Sequence, residues 1–518
     1  MSARRGLLKT ESYRSGIALS VGFSLLAKLI ALASSLVLAA LFGTSGEMDV
    51  YLYVFFAAAL VTTFISALNS SVIIPEAMRL AGQESEGVSR EFLNFFLYAY
   101  GALGVAVSGV FLISPAAAFG AVSRFEPGLL AANSGLLYAA LPLFPLMLVS
   151  GYLSDVLASR KYFTMPMIAA MCNNAFVLLF VLAFSGRWGV SSALYGLCAA
   201  HALQSLALGW FMAGSLGWSF AVPTARPSRR MFGDVLFAQL GNLATAVSAY
   251  VPMFLLSGFD RGTVSAMNYG RQAAEFPNNF ITQQFSSVAG IKLNEVLAQR
   301  RMDEAGRVFL ASMRGLSFAL VPLSLFGAFY SREIVGILFG RGAFGPASVE
   351  AASGFFLLFA LLLPFYGTNA VVTRLFLAAR KVREAFWYQL VMNLLLAGII
   401  AACVARFGAL GYPAGLLAFY VLTLFTAGLL TGRHFPGVRY WSGIWYLARV
   451  AALDIALLLP VWYAAARFGP ENALLRAALA AAVYFGLLAW LSVRLGINED
   501  FRQAVAGLKG RITGAMSS

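Results

Sequence analysis

The chain has 518 residues, 60% of them hydrophobic and 11% charged, against about 45–50% apolar and about 25% charged in soluble domains. No water-soluble core hides that share of apolar side chains, so the composition excludes a soluble globular protein and points to a multi-pass membrane protein. The formal charge of +15 does not point to nucleic acid, because the basic residues stand in short segments between apolar runs, the pattern that orients membrane proteins.

The apolar runs are continuous and about twice the length of the roughly ten-residue alternating segments of a β-barrel, so the spans are helices. The first is residues 16–42, preceded by Arg4, Arg5, Lys9 and Arg14. It superficially resembles a signal peptide, but its apolar part is too long for a cleaved one and is expected to remain as the first span. Its only ionisable side chain is Lys28, roughly 20 Å of helix from either end and beyond the reach of snorkelling. An ammonium at that depth costs at least about 2.5–3.5 kcal/mol and reads as functional. The plainer reading is a lysine neutralised by burial or paired with a carboxylate to hold the bundle together.

Windows of about 20 apolar residues give fourteen candidate spans. Six lie at 16–42, 50–74, 92–114, 135–157, 163–184 and 190–212. Six more lie at 233–258, 275–298, 307–329, 352–377, 385–406 and 409–431, and a final pair at 443–465 and 473–495. An even number puts both termini on one side. The basic residues concentrate in the N-terminal tail, the C-terminus and alternate loops, which carry Arg79, Arg160, Lys161, Arg226, Arg229, Arg230, Arg300, Arg301, Arg380, Lys381 and Arg383. That side is expected to be the cytoplasm.

The eighth span is the most polar, interrupted by Asn278, Asn279, Gln283, Gln284, Ser286, Ser287 and Lys292. Such a segment sits at membrane depth where it lines a water-filled cavity or packs inside the bundle; a re-entrant or interfacial helix is the alternative. It also carries an internal repeat. Phe280-Ile281 and Ser286-Ser287-Val288 match Phe64-Ile65 and Ser70-Ser71-Val72, and Tyr269 matches Tyr53, all at one offset. Spans one to six and seven to twelve therefore read as two copies of a six-helix unit, related by a pseudo-two-fold axis along the membrane normal with a cleft between them. The expected divisions are an N-terminal lobe at 1–215, a C-terminal lobe at 216–435, and two extra helices with a cytoplasmic tail at 436–518. In the extra pair, Arg449 and Asp454 are five positions apart, which does not favour a local ion pair.

No phosphate-cradling Gly-Lys-Ser/Thr loop, lipase-type elbow or paired-histidine metal motif occurs, so no enzyme is expected. Cys172, Cys198 and Cys403 fall inside apolar segments and His201 and His434 stand far apart, which suggests neither a disulfide framework nor a metal site. The charges at membrane depth are Lys28, Asp49 at the start of span two, and Arg271 and Glu275 at the start of span eight. Lys28 and Arg271 would place positive potential in one cleft and attract an anion, phosphate above all. Arg271 and Glu275, one turn apart, form an ordinary pair or are solvated residues of an outer loop in the plainer reading. Asp49 is a counter-charge for Lys28 or a helix N-cap. A cation exporter needs cavity carboxylates, and the first span has none.

Three stretches carry a family resemblance: Ala40-Leu41-Phe42-Gly43 running to Met48-Asp49-Val50-Tyr51, Tyr269 through Glu275-Phe276-Pro277, and Leu338-Phe339-Gly340-Arg341-Gly342-Ala343-Phe344. With the fourteen spans they resemble the MurJ (MviN) lipid II flippases, within the superfamily of multidrug, oligosaccharidyl-lipid and polysaccharide exporters. The resemblance places Lys28 where the family has a cavity arginine and Asp49 on the family's aspartate. It departs at Ser34, near Thr62 and at Gln272, where the family has arginines. Arg271 is adjacent to Gln272 but about 100° away around a helix.

The resemblance implies an all-α flippase of the bacterial inner membrane that translocates a polyprenyl-diphosphate-linked saccharide by alternating access, with Lys28, Asp49, Arg271, Gln272 and Glu275 in a central cavity. Lipid II and an exopolysaccharide or O-antigen repeat unit both remain as cargo. A cation-coupled small-molecule exporter and a non-transporting scaffold for envelope assembly are the other readings. The expected partners are that lipid-linked saccharide, membrane lipid and the enzymes of envelope polysaccharide or peptidoglycan synthesis. No cofactor is expected beyond a coupling ion or the membrane potential.

Overall fold

The computed structural model describes residues 13–222, 229–379 and 382–496. Arg4, Arg5, Lys9, Arg226, Arg380, Lys381 and the C-terminal tail, used above for orientation, lie outside them. Every regular element among the described residues is helical, as a lipid environment requires of a backbone that must satisfy its own hydrogen bonds.

In chain order the helices are α1 (Tyr13–Phe42), α2 (Gly46–Leu68), a π-helical turn (Asn69–Ile73), α3 (Ile74–Gln83), α4 (Glu86–Ile113), α5 (Pro115–Ala121), α6 (Pro127–Ala132), α7 (Ser134–Ala140), α8 (Leu143–Ser159), α9 (Thr164–Trp188) and α10 (Ser191–Leu216). They continue as α11 (Arg229–Leu256), α12 (Thr263–Ala298), α13 (Met302–Phe329), α14 (Ser331–Phe339), α15 (Pro346–Ala360), α16 (Leu363–Ala378), α17 (Val382–Phe407), α18 (Gly411–His434), α19 (Tyr440–Phe468) and α20 (Ala473–Leu495). Local chemistry sets several ends. Ser45 caps α2 by accepting from Met48 N, Ser85 caps α4 by accepting from Val88 N, and Asn472 caps α20 by accepting from the N–H groups of Leu474 and Leu475.

A helix stands at each of the fourteen expected positions, but ten stretches among the described residues are long and apolar enough to cross a membrane on that measure alone. One of the ten, Trp387–His434, runs α17 and α18 together. The helix α12 is not among them, because its polar residues lower its hydropathy; it also begins twelve residues earlier than the expected 275. Large apolar side chains point outward all along these helices, Trp210 at 80% exposure and Leu206 at 72% among them. Water would not tolerate that surface and acyl chains do.

The repeat reappears in the element boundaries. Helices α4 and α13 both have 28 residues. They start at Glu86 and Met302 and end at Ile113 and Phe329, an offset of 216 residues at each end. The starts of α5 and α14 repeat that offset, and α2 and α12 miss it by one residue.

Two compact units make up the chain: Met1–Ser265 with Arg341–Gly345 and Gln389–Ala401, and Ala266–Gly340 with Pro346–Tyr388 and Ala402–Ser518. The first has a core in which Ile65, Phe92, Tyr100, Tyr152, Val156 and Phe211 pack together. The second is built around Phe309, Leu316, Leu363, Val371 and Tyr440, with a satellite cluster in which Tyr330 meets Leu458 and Tyr484 of the C-terminal helix pair.

Candidate functional site

Lys28 is half-buried on α1, between Leu26 and Leu29, each 45% exposed. Counted back from Phe42, it lies about 21 Å below the turn that joins α1 to α2. Asp49 is in the first turn of α2, about 5 Å below the same turn. The hydrogen bonds of the Asp49 carboxylate run to backbone groups and not to Lys28.

Asp49 does not cap its own helix either, since Ser45 does that. Its carboxylate is buried, 1% exposed, and accepts from two backbone N–H groups at the start of α12: Gly262 N at 2.6 Å on Oδ2 and Ser265 N at 2.7 Å on Oδ1. A helix N-terminus presents unsatisfied donors and a partial positive charge, and the carboxylate answers both. Gly262 is at φ +94°, and a Cβ there would lie 2.4 Å from Thr44 O, so only glycine lets the two turns approach this closely. Asp49 also borders a cavity of about 450 Å³ with Arg124, Glu126, Ser257, Asp260 and Arg261. Across that mouth Arg261 pairs with Glu126 at 3.1 Å, both largely exposed.

The neutral positions stay neutral in place. Thr62 Oγ1 donates to Ala58 O at 2.9 Å and its methyl group packs against Gly151, while Ser34 Oγ is buried without a hydrogen-bond partner. Neither supplies a second cation beside Lys28.

In the other compact unit, α12 gathers a polar face. Arg271, Glu275, Asn278 and Thr282 recur at helical spacing on one side. Arg271 and Glu275 are half-buried well inside the helix, which corrects the reading of them as residues of an outer loop. Tyr366 of α16 donates to Glu275 Oε1 at 3.3 Å. The Arg271 guanidinium engages Tyr412 of α18 as well as Glu275 and Tyr366, and the rings of Tyr366 and Tyr420 meet edge to face at 5.1 Å. Gln272 points elsewhere, as one step around a helix requires, and its Oε1 is buried without a partner, as are Asn278 Oδ1 and Thr282 Oγ1. This face presents a guanidinium, phenols and amides, the donors that phosphate and sugar oxygens need, with Glu275 offsetting part of the charge. Gly270 fixes its seat: a Cβ there would be 2.6 Å from Ala352 O, so α12 lies directly on α15.

The sequence reading missed a second polar system in the first unit. Asp155 on α8 accepts from Ser66 Oγ at 2.9 Å and Asn69 Nδ2 at 2.8 Å, and Tyr100 OH donates to Asn69 Oδ1 at 2.8 Å. Beside it, Ser150 Oγ contacts His201 Nδ1 at 2.9 Å, and Gln204 links Asn173 to Ser154. Asp155 is a carboxylate inside the expected fourth span, 135–157, and a charge inventory by span would have found it. In the C-terminal pair, Arg449 lies over the Trp445 ring at 5.5 Å and forms no pair with Asp454, as the five-residue spacing predicts.

The sequence model of the family described as "Lipid II flippase MurJ" matches residues 38–489. A probable lipid II flippase MurJ of Thermotoga maritima is 24% identical over 392 residues, covering 74% of this chain and 78% of that protein. One from Rhizobium meliloti is 23% identical over 73% of this chain and 67% of its own length. Among solved structures, "Lipid II flippase MurJ, inward closed conformation" superposes with a TM-score of 0.76 at 17% identity, covering 93% of this chain and 100% of that one. An inward-facing multidrug resistance MATE transporter of the MOP superfamily follows at 0.64 and 12%, over 84% and 98%. These two likenesses concern the fold.

Proposed function

This chain belongs to the MurJ family of lipid II flippases, and from that premise we propose that it carries a polyprenyl-diphosphate-linked saccharide across a bacterial inner membrane. Lys28 carries the reading. It is a cation midway along a membrane-length helix, a depth at which an ionisable side chain reads as functional, and an anionic cargo suits it. The diphosphate supplies the anion, Lys28 and Arg271 hold it, and Tyr412 adds a donor to phosphate or sugar oxygens. Lobes 1–215 and 216–435 rock to expose the cargo first inward and then outward, with both termini on the cytoplasmic side. The lipid tail stays in acyl chains, against the pair at 436–518.

Lipid II is the cargo that the family premise favours. The neutral residues at Ser34, Thr62 and Gln272 favour a second reading, an exopolysaccharide or O-antigen repeat unit, because they leave fewer cations for the headgroup. The test is translocation of fluorescent lipid II, and of an undecaprenyl-diphosphate glycan lacking peptide, in proteoliposomes. Lys28→Ala is expected to abolish transport while the protein still purifies as a monodisperse species, and Lys28→Arg to retain it. Full transport by Lys28→Ala would end the assignment.

A further inference from the structure

The structure assigns to the first unit a site that the reading above leaves unused: we propose that Asp155 is a proton-coupling residue, taking up one proton on Oδ1 and giving it back as the chain changes the side it faces. The proposal rests on the transport reading and adds its energy source.

The geometry carries it. Both neighbours of the carboxylate bind the same oxygen: Ser66 Oγ and Asn69 Nδ2 donate to Oδ2. Oδ1 receives no hydrogen bond and is not among the buried partnerless atoms, so it reaches the surface of the unit. The clamp therefore fixes the carboxylate and leaves one oxygen open. Both donors are neutral, and among the described residues no Lys, Arg or His nitrogen lies within 4.0 Å of Asp155. A carboxylate inside a membrane-spanning bundle without a cation costs several kcal/mol, roughly, unless a positive charge comes from outside the chain.

A proton meets that need better than a metal ion. Ser66 and Asn69 turn hydrogens toward the carboxylate, and the Asn69 oxygen is already taken by Tyr100, so few lone pairs remain for a metal shell. Protonation needs one: the Oδ1–H bond forms with a proton drawn from water on one side and breaks by its return to water on the other, with no other reactant. The turn that holds the clamp is the π-helical Asn69–Ile73, where α2 widens and Ser70 and Ser71 donate to the carbonyl of Ala67. Single π turns are often found at functional sites, since they can be gained or lost without unwinding the helix.

The groups packed around Asp155 are otherwise quiet. From α4 come Tyr100 and, at the far end, Glu86, which is tied to Arg160 just past α8 at 2.6 Å. On α8 itself Tyr152 OH donates to Leu93 O at 2.7 Å. His201 of α10 sits one helical turn up, against Ser150, while α2 from Ser66 and α9 at Asn173 contribute only neutral groups.

The experiment uses purified full-length protein and two readouts. In difference infrared spectra across a pH step, a carboxylic C=O band is expected in the wild type and its loss in Asp155→Asn, while Ser66→Ala, which keeps the carboxylate, displaces the band along the pH axis. In proteoliposomes, an imposed pH gradient is expected to change wild-type translocation of a lipid-linked saccharide and to have no effect on Asp155→Asn; replacing sodium with choline changes neither. A band that survives in Asp155→Asn and is unmoved in Ser66→Ala overturns the proposal, as does sodium-dependent, gradient-insensitive transport. If no lipid-linked saccharide moves but the band follows Asp155, the protonation site stands and the cargo assignment falls.

Discussion

Asp49 and Ser265 are 216 residues apart and touch, the carboxylate accepting from the backbone N–H at 2.7 Å. That separation equals the offset at which α4 and α13 begin and end, so each residue occupies the other's place in the repeat. One copy supplies an acidic side chain and the other a serine whose backbone donates.

The first prediction follows from that bond. Asp49→Ala leaves the N–H groups of Gly262 and Ser265 buried without acceptors, at about 1–3 kcal/mol each. The variant is expected to unfold at lower temperature in a thermal-shift assay in detergent, and Asp49→Asn, which keeps one acceptor, to lose less. Wild-type stability combined with lost transport would instead make Asp49 a residue of the cargo site.

A second prediction concerns the stretch Leu338–Phe344. Gly342 is at φ +60°, and a Cβ there would lie 2.2 Å from Ala40 O, while Ala343 N donates to that same oxygen at 2.8 Å. Gly43 answers from the other side at φ +57°, its Cβ position 2.4 Å from Ala343 O. The two family-like stretches are thus one contact, a loop laid against the end of α1. Gly342→Ala adds about 1–2 kcal/mol of left-handed backbone strain to the clash. It should lower the folded yield on size-exclusion chromatography, whereas Gly345→Ala, in open space, should not.

What the sequence could disclose follows the same line. Helices were legible because each needs only its own apolar run and its caps, and the repeat because Phe64, Ile65 and Ser70 to Val72 recur in register. The partner of Asp49 was not, because a lone aspartate carries no mark of which distant backbone it will meet. Asp155 was hidden by averaging, since one acid among leucines and valines barely lowers the hydropathy of a 20-residue window. Arg271 was found by type, but its neighbour Tyr412 lies 141 positions on and only packing brings them together.

A third prediction tests whether Arg271 binds cargo or only braces α12. If it binds, Glu275 competes with the diphosphate for the guanidinium. Glu275→Gln should then tighten binding of a lipid diphosphate several-fold, by roughly 1 kcal/mol, as measured by microscale thermophoresis. Arg271→Ala strands a half-buried carboxylate with Tyr366 as its hydrogen-bond donor. The double variant Arg271→Ala/Glu275→Ala should accordingly be more stable than the sum of the single changes implies, with a coupling of about 0.5–3 kcal/mol. Unchanged affinity in Glu275→Gln would leave the arginine a structural role.

The last prediction concerns Asp454 on α19, which is 0% exposed. Tyr484 of α20 stands beside it, itself fully buried, and Leu458 one turn on packs against that tyrosine in the apolar cluster. Asn has nearly the same shape and keeps an oxygen that can accept from the Tyr484 hydroxyl. Asp454→Asn is therefore expected to keep the unfolding free energy within about 1 kcal/mol of wild type and to leave translocation intact. Asp454→Lys places a longer cation in the same closed space and should prevent the C-terminal pair from packing, read as loss of folded protein. A transport defect in a stably folded Asp454→Asn would show that this acid, and not only Asp155, exchanges protons during the cycle.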